Sequence, residues 1–295
     1  GGTYNPGWAT LDRADVGIAG HSLGAEAVSW VGQCDARVKA VVAWDDLYPT
    51  NMRACAKNVT VSPADRASRI HAPALAMTND YEFNPEPQTT VPDPNGSGEL
   101  GGGGLDGTAG YLSLSKNDSR TGNVVDSEIV CIRNGTHLTY SYVPYVLPAN
   151  EIGERVAFYY TLAWLDEYLR VLPFGQQDPL LPRWDTAYRR LTDAAGTFDQ
   201  SADTNGNTKN RGAADISFGA GTYNPSQAAA DPTNPGAGNA PYEIQGIPIA
   251  DTMSFYYYSE YSLHDPATRR LTVCTDMLNA GEHHGRCPAV QPKIP

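Results

Sequence analysis

Apolar residues fall in short, nearly unbroken runs that stop at glycine, asparagine or aspartate. Residues 16–19 (VGIA) are small and apolar and read as a strand, and residues 23–31 read as a helix of small side chains. Residues 38–44 (VKAVVAW) give a second strand ending at Asp45-Asp46. Residues 73–77 (PALAM) give a third, ending at Thr78-Asn79-Asp80. Residues 128–132 give a fourth, ending at Asn134-Gly135-Thr136-His137. An amphipathic helix over about 151–169 follows, with Val156, Tyr160, Ala163 and Trp164 near one face. Continuous apolar strands separated by helices indicate an α/β fold, a parallel sheet covered on both faces.

Two stretches break the pattern. Residues 95–104 run through Asn-Gly-Ser-Gly into four consecutive glycines, the composition of a flexible loop. No strand leads into those glycines and no Lys-Ser/Thr follows, so they are not a phosphate cradle. Beyond Pro173 proline, glycine, asparagine and aspartate become frequent. Residues 216–218, 242–244 and 253–258 read there as strands between loops. The division is residues 1–175 as an α/β core and 176–295 as a β-rich region packed on it.

The composition narrows the partners. Thirty-three acids against 21 bases leave a net charge of −12 over 295 residues, and no Lys/Arg cluster is present to neutralise phosphates. Nucleic acid and anionic membranes are therefore disfavoured. No apolar run approaches the eighteen or so residues of a membrane span. The five cysteines include no CxxC pair, which argues against a zinc ribbon. Cys34 with Cys55 and Cys274 with Cys287 are the local pairs expected to form disulfides, leaving Cys131, and the alternative is five buried thiols. Asparagine, glycine, threonine and tyrosine with little lysine favour a secreted protein. The start Gly1-Gly2-Thr3 reads as a mature or clipped form.

Residues 15–30, DVGIAGHSLGAEAVSW, carry the chemistry. Gly20-His21-Ser22-Leu23-Gly24 fits G-x-S-x-G between a strand and a helix. That context puts the serine on a sharp, strained turn at the sheet edge. The Leu23 amide, opening the helix, is then placed to stabilise an oxyanion. A serine needs a base. Among six histidines, His21 is too close in sequence to reach round to Ser22, and His71 lies at the wrong end of a strand. His137 follows the fourth strand at the end where ligands bind in such sheets. Asp80, just past the third strand, is the preferred acid in the order Ser, acid, His. Glu82 and the pair Asp45 and Asp46 remain open. Trp44, Tyr48, Tyr81 and Phe83 follow strand ends flanking the site and suit an apolar acyl pocket, Trp44 and Tyr81 being the substrate-binding candidates.

These segments resemble the α/β-hydrolase superfamily of the secreted bacterial lipase/esterase, cutinase-like kind. The likeness rests on GHSLG after VGIA, on VKAVVAW, on PALAMTND and on GTH before the long helix, over residues 15–170. It implies Ser22 as nucleophile, His137 as general base, Asp80 as its partner and the Leu23 N–H in the oxyanion hole, with no metal or organic cofactor. The chain departs from that family in one respect. About four strands normally precede the nucleophile strand, and here only fourteen residues precede Asp15. The expectation is an upstream segment outside this sequence; a separate chain, or replacement by residues 176–295, are the alternatives. Without it the nucleophile strand would be an apolar sheet edge.

Three weaker patterns complete the survey. Residues 203–209 partly match a calcium loop, but the glycine comes at position four and Ala214 stands where glutamate is needed. Glu282-His283-His284 near Cys274 and Cys287 is read as surface rather than metal-binding. The aromatic run 255–258 with Tyr261 is read as a half-buried strand. The functional expectation is a serine esterase acting on a small-molecule or polymeric ester. The alternatives are a non-catalytic binding or structural fragment of the fold, or a peptidase.

Overall fold

A computed structural model describes residues 12–50, 52–53, 55, 61–79, 107–115, 124–133, 135–141, 151–169, 187–192, 243–244, 247–248, 252–254, 257, 259–266, 268–275 and 277. Four strands, β1 (Val16–His21), β2 (Val38–Trp44), β3 (Ala74–Asn79) and β4 (Ser127–Ile132), pair in parallel and in chain order. Their carboxyl ends line up: His21 pairs with Trp44, Trp44 with Met77, and Asn79 with Ile132. The helices are α1 (Leu23–Cys34), α2 (Thr108–Ser115), α3 (Glu151–Leu169) and α4 (Ala187–Thr192).

Alternation along the strands divides the core in two. Leu75, Met77, Val130 and Ile132 pack with Val156, Tyr160 and Trp164 of α3. Val41, Ala43, Ala76 and Ile129 face Ala25 of α1 and Tyr111 and Leu114 of α2. Both faces are covered, which is why β2, β3 and β4 read as unbroken apolar runs. Helix α2 has no counterpart in the sequence reading. Its TAGYLSLS carries only three large side chains, Tyr111, Leu112 and Leu114, too few to show a helical period.

The sheet is mixed rather than wholly parallel. Strands β7 (Glu260–His264) and β8 (Leu271–Cys274) form a hairpin that joins the β4 edge antiparallel, giving the order β1-β2-β3-β4-β7-β8. C-terminal residues thus extend the core sheet at the edge opposite β1. Among the described residues β1 remains the outer strand, mostly half-buried, with Ala19 exposed. Of the expected strand over 253–258, Met253 makes a single bridge to Ile132 and Tyr257 lies in a bend, while residues 255, 256 and 258 lie outside the described residues. The aromatic run has high strand propensity, but β4 takes Glu260–Ser262 as its partner. Residues 242–244 hold the short β5 (Glu243–Ile244), paired with β6 (Ile247–Pro248). The expected strand at 216–218, the glycine run 101–104, the loop 203–209 and residues 282–284 lie outside the described residues.

Cys34 and Cys55 form a disulfide with Cα atoms 5.2 Å apart, tying the end of α1 to a segment 21 positions on. Such a closure stabilises by about 3 kcal/mol in the chain-entropy treatment. Cys274 is also disulfide-bonded; its expected partner Cys287 lies outside the described residues. Cys131 is a buried thiol in β4.

Polar side chains fasten the hairpin. Asp126, just before β4, accepts hydrogen bonds from His264 and from Tyr168 Oη of α3. Beside it, burial and the Asp126 charge push the Glu167 carboxyl up to about 7. The unfolded chain releases that proton near pH 4.3 and the folded chain near 7. The stability this group contributes is therefore present below about pH 4.3 and is lost as pH rises to about 7. The loss is on the order of 3 kcal/mol. Thermal melts of the parent minus those of Glu167→Gln, taken between pH 4.5 and 7.5, should show a decline of several degrees; a flat difference would refute it.

Candidate active site

The elbow forms because β1 must hand over to α1 within one residue. Ser22 fills that position at φ 58°, ψ −125°, a conformation that side-chain-bearing residues rarely adopt. Its amide donates to the Trp44 carbonyl at 3.1 Å, and its own carbonyl accepts from Ala25 N at 2.7 Å, starting α1. The elbow is thus fixed to the end of β2 on one side and to the helix on the other. Leu23 opens α1 with its side chain 81 % exposed. Its amide precedes the first intrahelical bond, where helix donors face outward to a ligand.

The two motif glycines differ. A Cβ on Gly20 would lie 2.2 Å from the Gly24 carbonyl oxygen, whereas one on Gly24 meets nothing within 4 Å. Gly20 permits the strand–helix approach; Gly24 does not require its missing side chain. Gly20→Ala is expected to cost about 1–3 kcal/mol by overpacking, and Gly24→Ala to be neutral or stabilising by up to about 1 kcal/mol. Gly20→Ala should therefore melt below the parent and Gly24→Ala at or above it; equal values for the two variants would contradict the assignment.

His137 follows β4 and begins a 3-10 turn (His137–Tyr140). Thr136 and Thr139 brace that turn: the Thr136 amide donates to Thr139 Oγ1 at 2.8 Å and the Thr139 amide to the Thr136 carbonyl at 2.9 Å. The His137 side chain is largely buried and its Nδ1 is hydrogen-bonded to Oδ2 of Asp45. Asp45 follows β2 with φ 59°, and Asp46 continues at φ 117°. Two successive left-handed residues turn the chain sharply, and aspartate tolerates that backbone better than most residues. The Asp45 amide donates to the Met77 carbonyl at 2.7 Å, securing the turn against β3. Asp45 is 4 % exposed, and its Oδ1 is buried with no hydrogen-bond partner among the described residues.

His21 completes the cluster. Its Nε2 lies 2.7 Å from the His137 carbonyl oxygen, to which it donates, and the two rings are 4.6 Å apart. Burial, with the His137 imidazole close by, holds the His21 ring below the ordinary imidazole value. Side-chain ligand atoms of His21, Asp45 and His137 lie within 4.8 Å of one another. The His137–Asp45 hydrogen bond and the anchored His21 ring account for that closeness.

Ser22 and His137 are therefore brought to one end of the sheet, His137 held by Asp45 and joined through His21 to the residue next to Ser22. Among the described residues no hydrogen bond links Ser22 Oγ to an imidazole. Of the acids weighed from sequence, Asp45 is the one on His137; Asp80, Tyr81, Glu82 and Phe83 lie outside the described residues. Trp44 is half-buried, and its indole N–H donates to Thr161 of α3 at 3.0 Å. Tyr48 is 37 % exposed. His71 donates from Nε2 to the Val38 carbonyl, far from this end. The link through His21 went unread because sequence adjacency hides a contact made across 116 positions. No protein-family model matches the chain, and no curated protein matches it.

Proposed function

We propose that the chain is a serine hydrolase of carboxylic esters, with Ser22 as nucleophile, His137 as general base and Asp45 as the carboxylate that orients it. The observation that carries this reading is the strained Ser22 elbow at the same sheet end as a buried histidine–aspartate pair. Backbone strain in an otherwise regular sheet collects at functional positions.

In this mechanism His137 uses Nε2, since Nδ1 is engaged by Asp45. It takes the Ser22 proton as Oγ bonds to the ester carbonyl carbon. The tetrahedral oxyanion is held by the Leu23 N–H. His137 then passes the proton to the departing alkoxide, leaving an acyl-serine. Water, deprotonated by the same imidazole, attacks the acyl carbon, and the imidazolium returns that proton to Ser22 Oγ as its bond to the acyl carbon breaks, releasing the acid and free Ser22. Asp45 stabilises the imidazolium formed in each half. The chemistry calls for no metal or organic cofactor. The α/β-hydrolase likeness, the exposed Leu23 and Tyr48 and the neighbouring Trp44 support an apolar acyl group. The Cys34–Cys55 disulfide supports an oxidising, extracellular setting. No helix among the described residues is long and apolar enough to cross a membrane.

A fluorophosphonate probe tests the proposal. Stoichiometric labelling, mapped by mass spectrometry to Ser22, is the expected result. An unlabelled Ser22 in folded protein would overturn it. Rates on p-nitrophenyl acyl esters beside those on peptides then separate an esterase from a peptidase.

A further inference from the structure

We infer that His21 is a positioning residue that sets the distance between nucleophile and base; this rests on the hydrolase reading of the site. His21 is bonded through the main chain to Ser22, and its Nε2–H donates to the main-chain carbonyl of His137 at 2.7 Å. A single side chain thereby spans from the elbow to the backbone that carries the base. Asp45 grips the His137 imidazole at Nδ1 and fixes its rotation. His21 grips the other end of the same residue and fixes where its Cα sits. The 3-10 turn is braced internally by Thr136 and Thr139, so the bond from His21 moves or holds that turn as a unit.

Two further observations fit this role. The His21 ring packs against His137 and, at 5.9 Å, against Tyr140 at the far end of the same turn. Donation from Nε2 to a carbonyl also leaves Nδ1 without a proton when the ring is neutral. A neutral neighbour does not oppose the positive charge that His137 acquires during acylation, whereas a cationic one 4.6 Å away would. The motif position between Gly20 and Ser22 is therefore a brace whose chemistry matters: a donor at the reach of Nε2 and no fixed charge.

The test compares His21→Gln with His21→Leu. Glutamine carries an N–H donor at a reach close to that of Nε2; leucine keeps apolar bulk and has no donor. His21→Leu should lose about 10- to 100-fold in kcat with KM little changed, as expected for a base displaced by a fraction of an ångström to an ångström. Its rate of reaction with the fluorophosphonate probe should fall in parallel. His21→Gln should recover most of both rates. A purely packing role would instead leave leucine at or above glutamine, and that ranking, in proteins of matched melting temperature, overturns the proposal. Parent and both variants reacting equally with the probe would also overturn it while leaving the hydrolase reading intact. A parent that does not react removes the hydrolase reading and this inference with it.

Discussion

Ser22→Ala should reduce ester turnover by about 10⁶-fold and abolish probe labelling, with the melting temperature moved by no more than a few degrees. The hydroxyl is the bond-forming atom in the proposed mechanism, so nothing else in the cluster can replace it. The fold should not notice. Alanine keeps a Cβ on the same φ 58° backbone, and the bonds that fix the elbow, from the amide to Trp44 and from the carbonyl to Ala25, are main-chain bonds. Parallel assays on a p-nitrophenyl ester and by calorimetry check both halves. Turnover equal to the parent would remove Ser22 from the chemistry.

Asp45→Asn should lower kcat by about 10⁴-fold, the size of effect seen when a triad carboxylate becomes an amide. The carboxylate accepts from Nδ1–H of His137 and so keeps Nε2 as the basic nitrogen. An asparagine amide turned N–H outward would select the other tautomer and leave Nε2 protonated, unable to take the serine proton. The residue is 4 % exposed, so little water is at hand to substitute for the lost charge. Asp80→Asn supplies the contrast and should retain activity within about threefold, well under the roughly 1.4 kcal/mol of a tenfold effect. Should Asp80→Asn carry the loss and Asp45→Asn retain turnover, the acid has been misassigned.

Much of the core was visible in the chain. Strands buried on both faces write themselves as unbroken apolar runs, and the polar residues that stop those runs mark the sheet end where Ser22 and His137 meet. The choice of acid was less visible for a physical reason. In the sequence Asp45 and Asp80 each follow an apolar run, and the order Ser, acid, His admits either. What places Asp45 on His137 is a pair of left-handed residues, which Asp-Asp tolerates without demanding. The hairpin was hidden differently. Residues 255–258 carry stronger strand propensity than Glu260–His264, but pairing with β4 depends on partners more than a hundred positions away. The part played by His21 had no local signature at all, since a motif states which residues are adjacent and is silent on what they touch.

The twisted backbone at Ser22 has a consequence for any attempt to toughen this protein. Glycine adopts that conformation without steric penalty, so Ser22→Gly would relieve about 1–3 kcal/mol of strain while deleting the hydroxyl. At this residue the molecule sits off its own thermodynamic optimum. A library selected for heat resistance alone would drift there to glycine and discard the proposed nucleophile while improving the fold.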